Sequence, residues 1–503
     1  MNRIPAPSIR SVTVSLALLF CSFGASAQQA AVEREPSRPS AEDSDLKRHL
    51  DELTSKLDSM RQQLIESQSE MDELRNELRG LRQELAERTQ ADTAARDAAA
   101  LHTSVDQLQE ETEVLQAQVK QHDQTKVETS SKFPLRINGA VLFTSIFNSA
   151  NADNFNLPIV AVPKVPWTSE GSLSATASQT LLGFDALGPH LWGAKSYADL
   201  NVDFWGGSSS ENFTSAAGGL RLRTAHARLE WPNRSFGVAL DRPLISPWQP
   251  TSWVTVAEPA LAWSGNLWTW APQLVFTQTA IFNHFDFNVG LIDPPSPNSY
   301  TQGQTGLPSA SERSKQPGYE SRIGFMSSVG DQPIHLGAGG YYSRQSYPYR
   351  QNVDAWAASG DWDVTLHRAF RISGEIYRGR AIGSLGGGAF KDYVSSASEH
   401  YLDGLNAAGG WAQARITFAP ELEANVSAGL DNAYAADLRD SDQAMAPGYY
   451  AGLTRNATLI ANVVFRPKTY LLLSTEFREI NSRRISGQSN ENHVFGVATG
   501  YIF

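Results

Sequence analysis

From Phe133 to the carboxy terminus the sequence changes character at every second residue. In 195–206, Ala198, Leu200, Val202 and Phe204 alternate with Lys195, Tyr197, Asp199, Asn201 and Asp203. In 408–419, Ala412, Ala414, Ile416 and Phe418 alternate with Gln413, Arg415 and Thr417. In 469–480, Leu471, Leu473, Thr475 and Phe477 oppose Tyr470, Ser474, Glu476 and Arg478, with Leu472 as the exception. Side chains alternate across a strand, so each segment has an apolar face and a charged one. Sixteen such segments are predicted: 135–147, 172–184, 195–206, 219–231, 234–242, 271–282, 284–292, 319–329, 333–343, 353–366, 369–380, 408–419, 421–431, 456–466, 469–480 and 491–503. Short connections alternate with long ones. The short ones are Leu187 to His190, Pro232-Asn233, Asn283-His284, Gly330 to Gln332, His367-Arg368, Pro420 and Pro467-Lys468. The long ones are rich in Gly, Pro, Ser and Asn: 148–171, 207–218, 243–270, 293–318, 344–352, 381–407, 432–455 and 481–490. Strict alternation with an even strand count predicts an antiparallel sheet closed on itself, with both ends on the short-turn side.

The last segment fits that closure. Phe495, Val497, Thr499, Tyr501 and Phe503 share one face, and Val494, Gly496, Ala498, Gly500 and Ile502 share the other. An open sheet ending this way leaves an apolar edge exposed, whereas a barrel pairs its last strand with its first. This aromatic-ended strand resembles the terminal segment of bacterial outer-membrane barrels, which implies lipid as one partner and the barrel-insertion machinery, acting through the Phe503 strand, as another. No run of about 20 apolar residues follows the first 30 positions, so a membrane crossing would have to be made by strands. In a bilayer the apolar faces meet lipid and the charged faces line water.

The amino terminus reads differently. Arg3 and Arg10, the apolar Val12 to Phe20 and the small-residue site Ala25-Ser26-Ala27 predict a signal peptide over 1–27. Cleavage there removes Cys21, the only cysteine, which leaves no thiol for catalysis, disulfides or metal. Residues 28–40 read as a polar linker. Over 41–130 there are 21 acidic and 11 basic residues, so nearly all of the net charge of −11 sits there. In this segment Leu46, Leu50, Leu53, Leu57, Met60, Leu64, Ser67, Met71, Leu74, Leu78, Leu81 and Leu85 alternate spacings of four and three, the pattern of a coiled coil. With Leu50 at position a, Glu70 and Glu77 pair with Arg75 and Arg82 as parallel chains would, while Lys56 and Arg61 do not. A second run, Leu101, Val105, Leu108, Thr112, Leu115 and Val119, is out of phase by one residue. Self-association is the expected use, with the barrel occupying 131–503.

A barrel of about sixteen strands is too wide to be filled by its own side chains. By parity its lumen carries Arg136, Lys195, Asp199, Asp203, Arg228, Arg322, Arg371, Glu375, Arg415, Glu476 and Arg478. Arg221 and Arg223 share a strand with Arg228 but fall in the opposite parity, so either a bulge lies near Thr224 or that end stands above the membrane. The connection 243–270 holds Trp248, Trp253, Trp263, Trp268 and Trp270 with four prolines, stiff and apolar for an outer loop. It is expected to fold inward as a constriction, the alternative being packing on neighbouring loops or subunits. Arginine outnumbers lysine in the lumen, and its fork of donors suits carboxylates and phosphates. That predicts anion preference; a lumen of mutually neutralising charges predicts little selectivity.

Three stretches carry a family resemblance: Thr176-Ala177-Ser178-Gln179-Thr180-Leu181-Leu182-Gly183-Phe184-Asp185, Asp199-Leu200-Asn201-Val202-Asp203-Phe204-Trp205-Gly206, and Leu220-Arg221-Leu222-Arg223-Thr224-Ala225-His226-Ala227. With the coiled coil before them they resemble the DcaP-like porins. The resemblance implies a homotrimer of sixteen-stranded transmembrane antiparallel β-barrels behind a periplasmic α-helical coiled coil, in the outer membrane, passing small dicarboxylates or other anions. Arg221 and Arg223 match the family's basic positions, whereas Thr180 and Ala227 depart from its charged and aromatic ones. The alternative function is structural, the coiled coil acting as a periplasmic spacer and the barrel as its anchor. No enzyme, cofactor or nucleic-acid partner is expected. The ten histidines have no metal-ligand spacing, no phosphate loop or nucleophile elbow is present, and there is no basic surplus. Asp437, Asp440 and Asp442 lack the glycine and terminal glutamate of a calcium loop.

Overall fold

The structure, a computed structural model, describes residues 76, 77, 79 and 135–503, apart from 165, 168, 207–217, 296–307, 348–350, 397, 399 and 447. The signal peptide 1–27, the linker 28–40 and the coiled coil 41–130 lie outside the described residues except for Asn76, Glu77 and Arg79, which are helical and exposed.

The strands follow the chain in order. They are β1 (Leu135–Asn148), β2 (Ser172–Thr176), β3 (Leu181–Leu191), β4 (Ala194–Gly206), β5 (Gly219–Trp231) and β6 (Arg234–Asp241). Next come β7 (Ala271–Ile281), β8 (Phe285–Ile292), β9 (Gly318–Val329), β10 (Gln332–Ser346), β11 (Asn352–His367) and β12 (Phe370–Arg380). After a small hairpin, β13 (Tyr393–Ser396) and β14 (Tyr401–Gly404), the wall resumes with β15 (Asn406–Ala419), β16 (Leu422–Ala433), β17 (Leu453–Lys468), β18 (Leu471–Arg484) and β19 (Ser489–Ile502). Each wall strand pairs antiparallel with its neighbours. β19 pairs with β1, so the sheet closes into a 16-stranded barrel in which β2 and β3 together make one strand of the wall. Phe503 completes the closure: its N–H donates to the Gly139 carbonyl at 3.1 Å, and its carbonyl accepts from the Gly139 N–H at 3.0 Å.

The two faces follow the sequence parity. Phe143, Phe495, Val497 and Tyr501 stand exposed on the outside. Leu142, Ala498 and Asn492 are buried inside. In water a closed belt of exposed apolar side chains is costly; against hydrocarbon it is the stable arrangement.

Several boundaries differ from the sequence reading, among them the predicted turn Pro467-Lys468, which lies inside β17 with the turn itself at Thr469-Tyr470. The predicted strand 172–184 breaks at 177–180, where the Thr180 N–H turns back to the Ala177 carbonyl and Phe204 donates to the Ser178 carbonyl. The predicted turn Leu187 to His190 is a register shift inside the β3–β4 pair. The true turn is Trp192-Gly193, both with positive φ (50° and 78°), as the tightest hairpins require. The predicted long connection 481–490 shrinks to 485–488, because β18 and β19 continue their pairing up to Arg483 opposite Ser489.

A closed barrel keeps its backbone pairing in detergent until heated. Unboiled protein is expected to migrate differently from boiled protein in a denaturing gel; identical migration would contradict the closure.

Candidate functional site

The connection from Arg242 to Trp270, between β6 and β7, runs through the lumen rather than over the rim. Backbone groups taken away from both sheet and water need partners, and the inward side chains of the wall supply them. The Leu244 N–H donates to Glu320 (2.8 Å), the Thr251 N–H to Gln413 (2.7 Å) and the Leu267 N–H to Glu375 (3.0 Å). Carbonyls are met from the wall as well: Ser359 donates to the Ile245 carbonyl (2.7 Å), Asn462 to that of Thr251 (2.7 Å) and Asn456 to that of Trp263 (3.1 Å). Gln179, at the break between β2 and β3, serves both ways. Its Nε2 donates to the Val254 carbonyl (2.9 Å), and its Oε1 accepts from Val256 N–H (2.7 Å) and Ala257 N–H (3.1 Å). The partners come from around the wall, so the segment is a plug tied on several sides.

Glycines in the wall make room for it. A Cβ on Gly429 of β16 would collide with the Ser264 carbonyl, and one on Gly496 of β19 with the side chain of Val254. Gly265, at φ 102°, lies against the Gly410 and Leu430 carbonyls. Nearby, Leu261 and Trp263 both hold φ 59°. Such left-handed positions cost non-glycine residues about 1–3 kcal/mol each and persist where the surroundings enforce them.

Of the five tryptophans of this connection, Trp248 donates its Nε1 proton to Asp361 at 2.9 Å. Trp253 packs with Arg466 at 5.8 Å from its ring. Trp263 is 9% exposed and stacks on Phe390, with centroids 4.0 Å apart. Phe390 stacks in turn on Tyr450 at 4.2 Å, so three connections meet in one aromatic pile. Phe390 belongs to a second in-folded connection, 381–405, held by Asp431 of β16, which accepts from the N–H groups of Gly388 (3.1 Å) and Ala389. The ammonium of Lys391 donates to the Tyr450 carbonyl at 2.8 Å, and burial pulls its pKa down to about 7 against the pull of Asp431.

The parity-predicted charges sit on the inner face, mostly in opposite-charge pairs. Arg322 forks onto Asp361 (2.9 and 2.7 Å) and reaches Asp286 at 3.3 Å. Arg371 forks onto Asp363, and Arg478 bonds Glu476 and, within the plug, Thr255. Arg415 donates to Thr251 at 2.6 Å and lies 3.9 Å from Glu423. Glu375 is bonded to the plug, accepting from Ser246 at 2.6 Å. Arg136 and Lys195 stand exposed near the short-turn end, opposite Asp185 and Glu230 in register. Arg228 pairs with Glu230 at 2.6 Å and lies over the Tyr197 ring at 4.7 Å.

The parity conflict at Arg221 and Arg223 resolves as a bulge: Asn201 pairs with Thr224 and Val202 with Leu222, leaving Arg223 as the extra residue. Both guanidiniums thereby reach one carboxylate. Arg221 forks onto Asp203 (3.1 and 2.6 Å) and donates to the Ala257 carbonyl; Arg223 stands 3.7 Å from Asp203. Trp270 lies beside both, 5.3 and 5.0 Å from the two guanidinium carbons. Among the described residues, the buried Nη1 of Arg223 has no hydrogen-bond partner. Two cations thus share the one Asp203 carboxylate, while the plug carboxyl of Glu258, pushed up to about 7 by burial against the pull of Arg221, lies close by.

Asp361 and Asp363 were missing from the lumen set, although counting β11 in steps of two from Val353 finds both. Gln179 was hidden by the unforeseen break, and Asp431 by lying among loop-end residues.

No protein-family model matches the chain, and no curated protein matches it. Among solved structures, the outer membrane channel DcaP of Acinetobacter baumannii aligns with TM-score 0.59 at 17% identity, covering 74% of this chain and 99% of that one. The anion-selective porin from Comamonas acidovorans aligns with TM-score 0.45 at 9% identity, covering 74% and 100%. The first likeness shows that the barrel has the DcaP channel fold; the second is too distant to carry an argument.

Gly429→Val is expected to unseat the plug, lowering the thermal unfolding temperature while leaving a closed barrel. Unfolding at the wild-type temperature would contradict the seating of the plug in the wall.

Proposed function

We propose that this chain, sharing the fold of the DcaP outer membrane channel, is a porin: a passive diffusion channel of the bacterial outer membrane for small hydrophilic solutes, with a preference for anions such as carboxylates. The observation that carries the anion preference is the Arg221–Arg223 pair on the single Asp203, beneath Trp270 and the plug. Arg322, Arg371 and Arg478 are each spent on a carboxylate of their own, whereas Arg221 and Arg223 share Asp203, so a passing anion meets spare donors here. A carboxylate accepts two N–H groups of a guanidinium side by side, and Trp270 offers a flat apolar wall for the rest of a small solute. Trp248, Trp253 and Trp263 narrow the passage as parts of the plug. The remaining lumen charges, Arg136, Lys195, Asp199, Arg228, Arg322, Arg371, Glu375, Arg415, Glu476 and Arg478, keep it wet and fix the plug.

The same reading makes 1–27 an export signal and 41–130 a periplasmic coiled coil. The heptad run supports self-association, with a homotrimer as the assembly. Insertion would use the Phe503 strand.

Purified protein in planar bilayers is expected to give discrete conductance steps, with a reversal potential in a salt gradient showing preference for chloride over potassium. Arg223→Gln is expected to reduce that preference by roughly two-fold or more. Absence of steps would overturn the channel; unchanged selectivity in the variant would overturn the role of the arginine pair.

A further inference from the structure

His226 of β5 stands between two carboxylates on the lumen wall. Its Nδ1 lies 2.9 Å from Asp199 of β4 and its Nε2 3.0 Å from Asp241, the last residue of β6 before the plug. The three strands are adjacent, and Asp199 faces His226 directly in register. A neutral imidazole has one N–H and one lone pair, so it can satisfy one of these carboxylates while turning its lone pair on the other. Only the imidazolium donates to both.

The neighbouring groups do not substitute for it. One rung toward the short-turn end, Arg228 is held by Glu230 and Tyr197. One rung the other way are Asn201 and Thr224, both uncharged and bonded to each other at 3.1 Å. Beyond them Arg221 and Arg223 serve Asp203. At the plug, Arg242 turns its guanidinium inward to Ser246 (2.9 Å), Asn266 (3.2 Å) and the Trp248 carbonyl, leaving only its backbone N–H on Asp241. From β9, Glu320 adds a further carboxyl near Asp241. Among the described residues, neither Asp199 nor Asp241 forms an ion pair with a lysine or arginine. The imidazole and both carboxylates keep partial access to water, with side chains 21%, 11% and 40% exposed.

We infer that His226 is a selectivity-determining residue of the channel, and that its protonation sets the charge of the wall leading to the Arg221–Arg223 pair. The inference rests on the proposed channel reading. With the imidazolium in place the Asp199–His226–Asp241 group carries one net negative charge. Loss of the proton raises that to two and removes a tie on the root of the plug. Rising pH therefore makes the wall more repellent to anions.

The test is the chloride-to-potassium permeability ratio of the full-length protein in planar bilayers, measured from about pH 5 to about pH 9, the span over which histidines titrate when shifted by neighbours. Wild type is expected to lose chloride preference by about two-fold or more as pH rises. His226→Gln, which offers a single amide in place of the ring, is expected to show a flat profile. Asp199→Asn, which weakens the hold on the proton, is expected to move the transition to lower pH while keeping it. Conductance steps with pH-independent selectivity in wild type, or the same transition in His226→Gln, would overturn the assignment. Absence of any steps would instead refute the channel reading itself, so the two failures are distinguishable.

Discussion

A barrel this wide can hold a peptide segment inside only if that segment's backbone finds hydrogen bonds away from a sheet. Everything distinctive about this lumen follows from how that need is met. Glu320, Glu375, Gln413, Asn456, Asn462 and Gln179 each present a side-chain oxygen or amide to a main-chain group of the plug. A buried amide left unpaired costs about 1–3 kcal/mol. Pairing each of these groups avoids that cost, which is what lets the polar backbone of the plug stay inside. The wall glycines and the left-handed residues Leu261 and Trp263 are the steric counterpart, since close backbone approach needs both a notch and an unusual chain path.

The same economy organises the charges. Ions inside a protein are tolerated when each finds an opposite partner with good geometry. Arg322 with Asp361, two strands apart across β10, Arg371 with Asp363 on adjoining strands and Arg478 with Glu476 on one strand meet that condition. Against this background two places stand out. Around Asp203 two arginines share one carboxylate, and around His226 two carboxylates share one imidazole. Both lie on the β4–β6 side of the lumen, where inward side chains keep partial contact with water, whereas β16–β18 present many fully buried inward residues to the in-folded connections. The proposed solute path therefore follows the less filled side.

Much of this was legible from residue order. Alternation depends only on which way each side chain points from an extended chain, so the barrel could be read without tertiary information. Boundaries failed where a local conformation overrode the alternation. The break that turns Gln179 inward leaves apolar and polar residues in an unremarkable order, and Leu187 to His190 looks like a turn because of Gly188 and Pro189, although the sheet absorbs them as a shift in register. The bulge at Arg223 could be posed from parity, but choosing it over a strand end above the membrane required the pairing with β4. That Arg322 is neutralised was not legible, because its partner Asp361 lies two strands and 39 residues away.

The 242–270 segment fills part of the lumen as a plug tied to the wall. Single-channel conductance of a variant lacking residues 244–269, joined by a short flexible linker, tests it most directly. A closed barrel whose conductance is several-fold larger than wild type is expected. Conductance equal to wild type would place the segment outside the ion path and contradict it.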